Sequence, residues 1–136
     1  MEKLVYRAPV PVLDAEAMDA IARDDVERLK TLPIDVAFHH ENWRFIQDLC
    51  VRLSDHKDPI VRGNALEGFE LVAQFHRRLE KNVVKPVLLR GQKDEDAFVA
   101  AKARDAIASI NHRMKWRIGG AKRQKEIEAK FDRNRR

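Results

Sequence analysis

A single cysteine, Cys50, means that no internal disulfide can staple this 136-residue chain. Set between Leu49 and Val51, its thiol reads as a small core group, and reducing, cytoplasmic conditions fit the composition. Long hydrophobic runs are missing as well, since no uncharged apolar stretch approaches the roughly 20 residues that span a bilayer. The opening from Met1 to Pro11 lacks an apolar segment of signal-peptide length and is interrupted by Arg7, Pro9 and Pro11, so a soluble protein is predicted. Glycines number five and only Gly119 and Gly120 are adjacent, which excludes Walker and dinucleotide glycine loops. The serines Ser54 and Ser109 lie outside any Gly-x-Ser-x-Gly elbow. His39 and His40 are neighbours, His56, His76 and His112 are scattered, and no His-x-x-x-His or Cys-x-x-Cys pair occurs. No metal site, cofactor or small-molecule substrate is therefore predicted, and His39 and His40 read as solvated connector residues. The carboxylates read as helix caps and as pairs four residues apart, such as Asp48 with Arg52 and Asp58 with Arg62. These absences point to a protein that is not an enzyme.

What is present is helical patterning. Hydrophobic residues make up 44% of the chain, enough for a modest core, and no two-residue alternation is sustained. Residues 1–13 read as an extended arm, because Pro9 and Pro11 exclude helix there. Asp14 is placed to cap a first helix, and a second, from Asp25 to Leu32, is expected to stop at Pro33, leaving 33–40 as a connector. From Glu41 to about Ser54, Trp43, Ile46, Leu49, Cys50 and Leu53 follow the spacing of a buried face. A long helix from Pro59 to about Arg77 follows. A short one from about Asn82 is then expected, with Pro86 in its first turn and Gly91 at its end. A last helix capped by Asp94 or Asp96 runs to Asn111 or beyond. Leu49, Leu53, Phe69, Val72, Val99 and Ile107 are the expected core.

Two segments repeat one design. In Asp58-Pro59-Ile60-Val61-Arg62-Gly63-Asn64-Ala65 the aspartate can cap the free N–H groups of the first turn, and proline fits the first helical position. Val61, Ala65, Phe69 and Val72 then share a face. A weaker echo, Asp96-Ala97-Phe98-Val99-Ala100-Ala101-Lys102-Ala103-Arg104, begins 38 residues later. This pattern resembles the opening of HEAT-type helical repeats. The stretch from Asn42-Trp43-Arg44-Phe45-Ile46-Gln47-Asp48-Leu49-Cys50 to Ala106-Ile107-Ala108-Ser109-Ile110 is similar to short bacterial HEAT-like proteins, some of which serve as immunity proteins that cover a toxin's active site. The resemblance implies an all-α, right-handed superhelical stack of about six helices. It implies that Arg62, and Arg104 in the echo, bridges to an acidic residue in a neighbouring turn. It also implies that the helices before and after the Asp58 helix line the concave, partner-binding side.

Charge divides the chain into a helical domain at 1–112 and a basic tail at 113–136. From Arg113 onward ten basic residues face three acidic ones, a local +7 within a total of +5, which leaves the preceding residues at −2. The leading expectation is a non-enzymatic module of the immunity or antitoxin kind that binds and neutralises a partner protein, a cationic one by the charge of the body. Its candidate contact residues are Trp43, the polar stripe Arg44, Asp48 and Arg52, and Lys85 on the next concave helix. The alternative is a small nucleic-acid-binding protein whose tail residues Lys122, Arg123, Lys125 and Lys130 contact phosphates.

Overall fold

The computed structural model describes residues 7–119. Among them are six α-helices and no strand: α1 (Asp14–Ala22), α2 (Val26–His39), α3 (Trp43–Leu53), α4 (Pro59–His76), α5 (Lys81–Gln92) and α6 (Ala97–Met114). The fold is all-α, as the patterning predicts. Aspartates start the longest helices. Asp58 Oδ1 accepts from the N–H groups of Ile60 and Val61 at 2.8 and 3.3 Å, and Asp96 Oδ1 accepts from those of Phe98 and Val99 at 2.9 and 3.2 Å. Asp25 caps α2 through Arg28 N–H in the same manner. Helices α4 and α6 both end on a residue with left-handed backbone, Arg77 (φ 54°) and Lys115 (φ 58°).

Side-chain pairings set the register of two layers. Asn64 Nδ2 donates to the Lys30 carbonyl at 2.6 Å, and two turns or more further along the Phe38 and Phe75 rings meet edge to face, so α2 and α4 run parallel. The Phe98 ring lies over Gly63, and Lys102 pairs with Glu67 at 3.2 Å, which makes α6 parallel to α4. In the other layer, Gln47 meets Glu80 near the starts of α3 and α5, and Ser54 accepts from Arg90 Nη2 near their ends. Helix α4 touches α2, α3, α5 and α6, whereas among the described helices α1 contacts α2 alone. Leu49, Leu53, Phe69, Val72, Val99 and Ile107 are all buried in one continuous core. Cys50 is fully buried there, and loss of water around it pushes its thiol far above the usual range.

Five local expectations are corrected. Pro33 does not stop α2, which continues to His39 and buries Leu29, Leu32, Pro33, Val36 and Ala37. The ring removes one intrahelical hydrogen bond, but this apolar face packed against α4 offsets the loss. Pro86 lies in the second turn of α5 rather than the first, and Gly91 lies inside the helix, which extends to Gln92. A Cβ on Gly91 would come within 2.7 Å of Leu66 Cδ1 and 3.1 Å of Ala103 Cβ, so glycine here permits close packing of three helices instead of ending one. Asp14 is the first residue of α1, not its cap, and accepts from His40 Nε2 at 2.6 Å. His39 and His40 are structural: His39 Nε2 donates to the Pro9 carbonyl at 2.8 Å, and His40 stacks on Phe45.

Buried Asp35 holds the arm. One of its oxygens accepts from Val10 N–H at 3.2 Å; the other accepts from Arg28 at 2.8 Å and Arg7 at 3.3 Å. Arm residues 7–13 carry no regular structure, as expected. At the opposite end, α6 runs past the anticipated 112/113 boundary to Met114, and the chain stays docked as far as buried Ile118. The Asn111 side chain accepts from Ile118 N–H at 2.9 Å and donates to its carbonyl at 3.1 Å.

Candidate functional site

The site forms where α3 begins and α4 hands over to α5. Asn42 Oδ1 caps α3 by accepting from the N–H groups of Arg44 and Phe45, which sets Trp43 at the first helical position. A shallow, open depression results, lined by Asn42, Trp43, Arg44, Phe45, Asp48 and Arg78. Trp43 is half-buried against the core, and the Arg44 guanidinium lies 5.1 Å from its ring centroid. Arg44 remains 61% exposed even so, and Nε stands 3.6 Å from Glu80 Oε1.

Glu80 is fixed from below by a fully buried amide. Gln47 Nε2 donates to Glu80 Oε1 at 3.0 Å, and the backbone N–H of Glu80 donates to Gln47 Oε1 at 2.7 Å. Because its carboxylate is engaged with Gln47 and Arg44, Glu80 occupies the N-cap position of α5 without a side-chain cap bond. The next residue, Lys81, lies 5.9 Å from the ring centroid of Trp116 in the segment after α6. Trp43, Arg44, Glu80, Lys81 and Trp116 thus form one contiguous strip across three chain segments.

The structure brings together Trp43, Arg44 and Asp48 of the expected contact residues. Arg52 is exposed further along α3, and Lys85 is exposed on α5, outside the depression. The spacing along one helix made the stripe legible; Arg78 and Glu80 were missed because they reach the site through a tertiary contact more than 30 residues away in sequence. Lys122, Arg123, Lys125 and Lys130 lie outside the described residues.

Several charged groups outside the depression are structural. Arg62 bridges to Asp94 in the α5–α6 turn, with Nε–Oδ2 at 3.0 Å and Nη2–Oδ1 at 3.1 Å, while its Nη1 donates to the carbonyls of His56 and Lys57. This is the inter-turn bridge implied by the repeat resemblance; the pairing of Arg62 with Asp58 does not form, because Asp58 caps α4. Asp94 is partly desolvated, which pushes its carboxyl up, yet the Arg62 and Asp96 N–H hydrogen bonds outweigh that and hold it below the usual value. Among the described residues, Arg104 is exposed and makes no corresponding bridge, and Asp48 and Arg52 make no ion pair within 4 Å. His56 accepts from Asp58 N–H at Nδ1, so Nε2 carries the proton and donates to Asp24 at 2.6 Å, which lowers the Asp24 carboxyl. No group of three or more histidine, cysteine, aspartate or glutamate side chains able to hold a metal ion occurs among the described residues, and no helix there is long and apolar enough to cross a membrane.

No protein-family model and no curated protein sequence matches this chain. Its fold is shared with a chain in the crystal structure of a CDI complex from Cupriavidus taiwanensis LMG 19424. The superposition gives a TM-score of 0.69 at 18% identity and covers 80% of this chain and 96% of that one.

Proposed function

We propose that this chain is a non-enzymatic protein-binding module of the immunity type, which binds a partner protein such as a toxin domain and neutralises it by covering its working surface. The observation that carries the reading is the fold shared with a chain of a CDI complex, in which CDI denotes contact-dependent inhibition, a toxin–immunity system. The short HEAT-like repeat pattern at Asp58 and Asp96 agrees with it, since stacked helix pairs commonly offer an extended binding surface. The depression at the start of α3 supplies the kind of groups that dominate protein interfaces, a tryptophan and arginines around a partly desolvated centre.

The test is co-expression with the product of the adjacent gene, followed by affinity purification of the intact chain. A stoichiometric protein complex that protects cells from that product supports the reading. Charge reversal at Arg44 should then weaken the complex at least tenfold while leaving the melting temperature within a degree or two. Co-purification of nucleic acid with no protein would overturn it in favour of the basic tail as a phosphate-binding element.

A further inference from the structure

The cations of this molecule are sorted. On one part of the surface they are matched: Arg23 with Asp19, Arg28 with Asp35, Lys30 with Glu27, Arg62 with Asp94 and Lys102 with Glu67 all lie within 3.3 Å. At the end of the molecule that carries the strip, the pattern changes. Arg78 and Lys81 make no ion pair within 4 Å among the described residues, and Arg44 has only the 3.6 Å contact with Glu80, whose carboxylate is already bonded to Gln47. Lys85, one turn beyond Lys81, is exposed and likewise unpaired there. Other cations, among them Arg52, Lys93 and Arg104, make no ion pair within 4 Å among the described residues either, but none of those three lies over an indole ring as Arg44 and Lys81 do.

From this we infer that the surface recognised by the strip is an acidic polypeptide surface, one that presents carboxylates to Arg44, Arg78 and Lys81. The inference rests on the reading of this end as the partner surface, and it reverses the expectation of a cationic partner drawn from the charge of residues 1–112. Unmatched cations held close together repel one another, and an anionic partner relieves that repulsion while steering the encounter. Nucleic acid would be attracted by the same charge. However, single strands are held by bases stacking on open aromatic faces, and here a cation already lies over each indole, Arg44 over Trp43 and Lys81 over Trp116. Carboxylates pair with the cations themselves, and the Arg44 side chain is 61% exposed while Arg78 and Lys81 are exposed beside it.

The experiment uses the full chain and fluorescein-labelled poly-L-glutamate of about twenty residues, with oligouridylate of matched charge as the second probe, read by anisotropy at low and physiological salt. Poly-L-glutamate should bind, weaken with salt, and lose at least tenfold in affinity in the Arg78→Glu/Lys81→Glu variant; Arg78→Ala/Lys81→Ala, as a milder change, should lose about half as much in free energy. Circular dichroism and thermal melts of each variant verify folding. Affinity for poly-L-glutamate unchanged in both variants would overturn the inference, because the basic tail, intact in each, would then account for all binding. Tighter oligouridylate binding that is abolished by the same substitutions would overturn it in favour of nucleic acid. Failure to recover a complex with the neighbouring gene product, alongside glutamate binding that depends on Arg78 and Lys81, would remove the immunity reading and leave the chemistry of the surface standing.

Discussion

Gln47 and Glu80 exchange hydrogen bonds in both directions, the amide nitrogen to the carboxylate at 3.0 Å and the Glu80 N–H to the amide oxygen at 2.7 Å. Gln47 is fully buried, so each bond satisfies a group that water cannot reach. Replacing Gln47 by Leu should cost about 1–3 kcal/mol in urea denaturation, since the Glu80 N–H loses its partner at the start of α5. Glu80→Gln, which keeps an acceptor for Gln47, should cost less than half of that. Equal losses would show that the carboxylate charge, rather than the buried amide pairing, holds α5 to α3.

Helix α4 approaches α3 so closely at Gly68 that a Cβ there would fall 2.4 Å from Cys50 Sγ. Gly68→Ala should therefore destabilise by about 1–3 kcal/mol through overpacking. Cys50→Ala removes the obstructing sulfur. In a double-mutant cycle, the combined variant should be more stable than the sum of the two single losses predicts, and strict additivity would show that the strain lies elsewhere.

The Arg62–Asp94 bridge ties the start of α4 to the turn before α6, and both side chains are mostly shielded, at 19% and 18% exposure. Arg62→Ala should cost about 1.5–3 kcal/mol at neutral pH, because it removes charge-assisted bonds to a carboxylate and to two carbonyls. Asp94 titrates below its ordinary 3.8 in the folded protein, so its contribution is complete above that value and fades as acid carries the pH down through the lowered folded pKa. The variant should show a correspondingly shallower loss of stability below pH 3.8 in acid titrations followed by circular dichroism.

Glu70 titrates in the opposite direction. Burial raises its carboxyl above the ordinary 4.5, with Glu67 and Asp105 adding repulsion against the partial relief given by Ser109 and Lys102. Its protonated form favours the fold below pH 4.5, and that contribution is lost as the pH rises through the elevated folded value. Glu70→Gln should accordingly raise the melting temperature at pH 7 relative to its effect at pH 4. An equal effect at both values would show that ionisation of Glu70 carries no penalty.

The parts of this structure legible in the sequence are those decided within a few residues. Asp58 with Pro59, and Asp96, announce helix starts because capping is local, and the buried faces of α3, α4 and α6 follow from spacing alone. Pro33 and Gly91 were misread for the opposite reason. Local preference makes each a terminator, but Pro33 sits in a face that α4 covers, and Gly91 is a point of contact with Leu66 and Ala103. The candidate site divides along the same line: Trp43, Arg44 and Asp48 share one helix and could be picked out together. Glu80 and Arg78 belong to the site only because Gln47 reaches from α3 to the start of α5, a relation carried by packing and not by sequence spacing.

The position of α4, in contact with four of the other helices, has a consequence for how the molecule comes apart. A helix packed against four others can expose its buried amides only when those neighbours have already left, whereas α1, whose only helix contact among the described residues is α2, can detach with little disturbance of the rest. Hydrogen exchange should therefore proceed as an ordered sequence of openings, α1 first and α4 last, with the slowest amides around Leu66, Phe69 and Val72 reporting the global unfolding free energy.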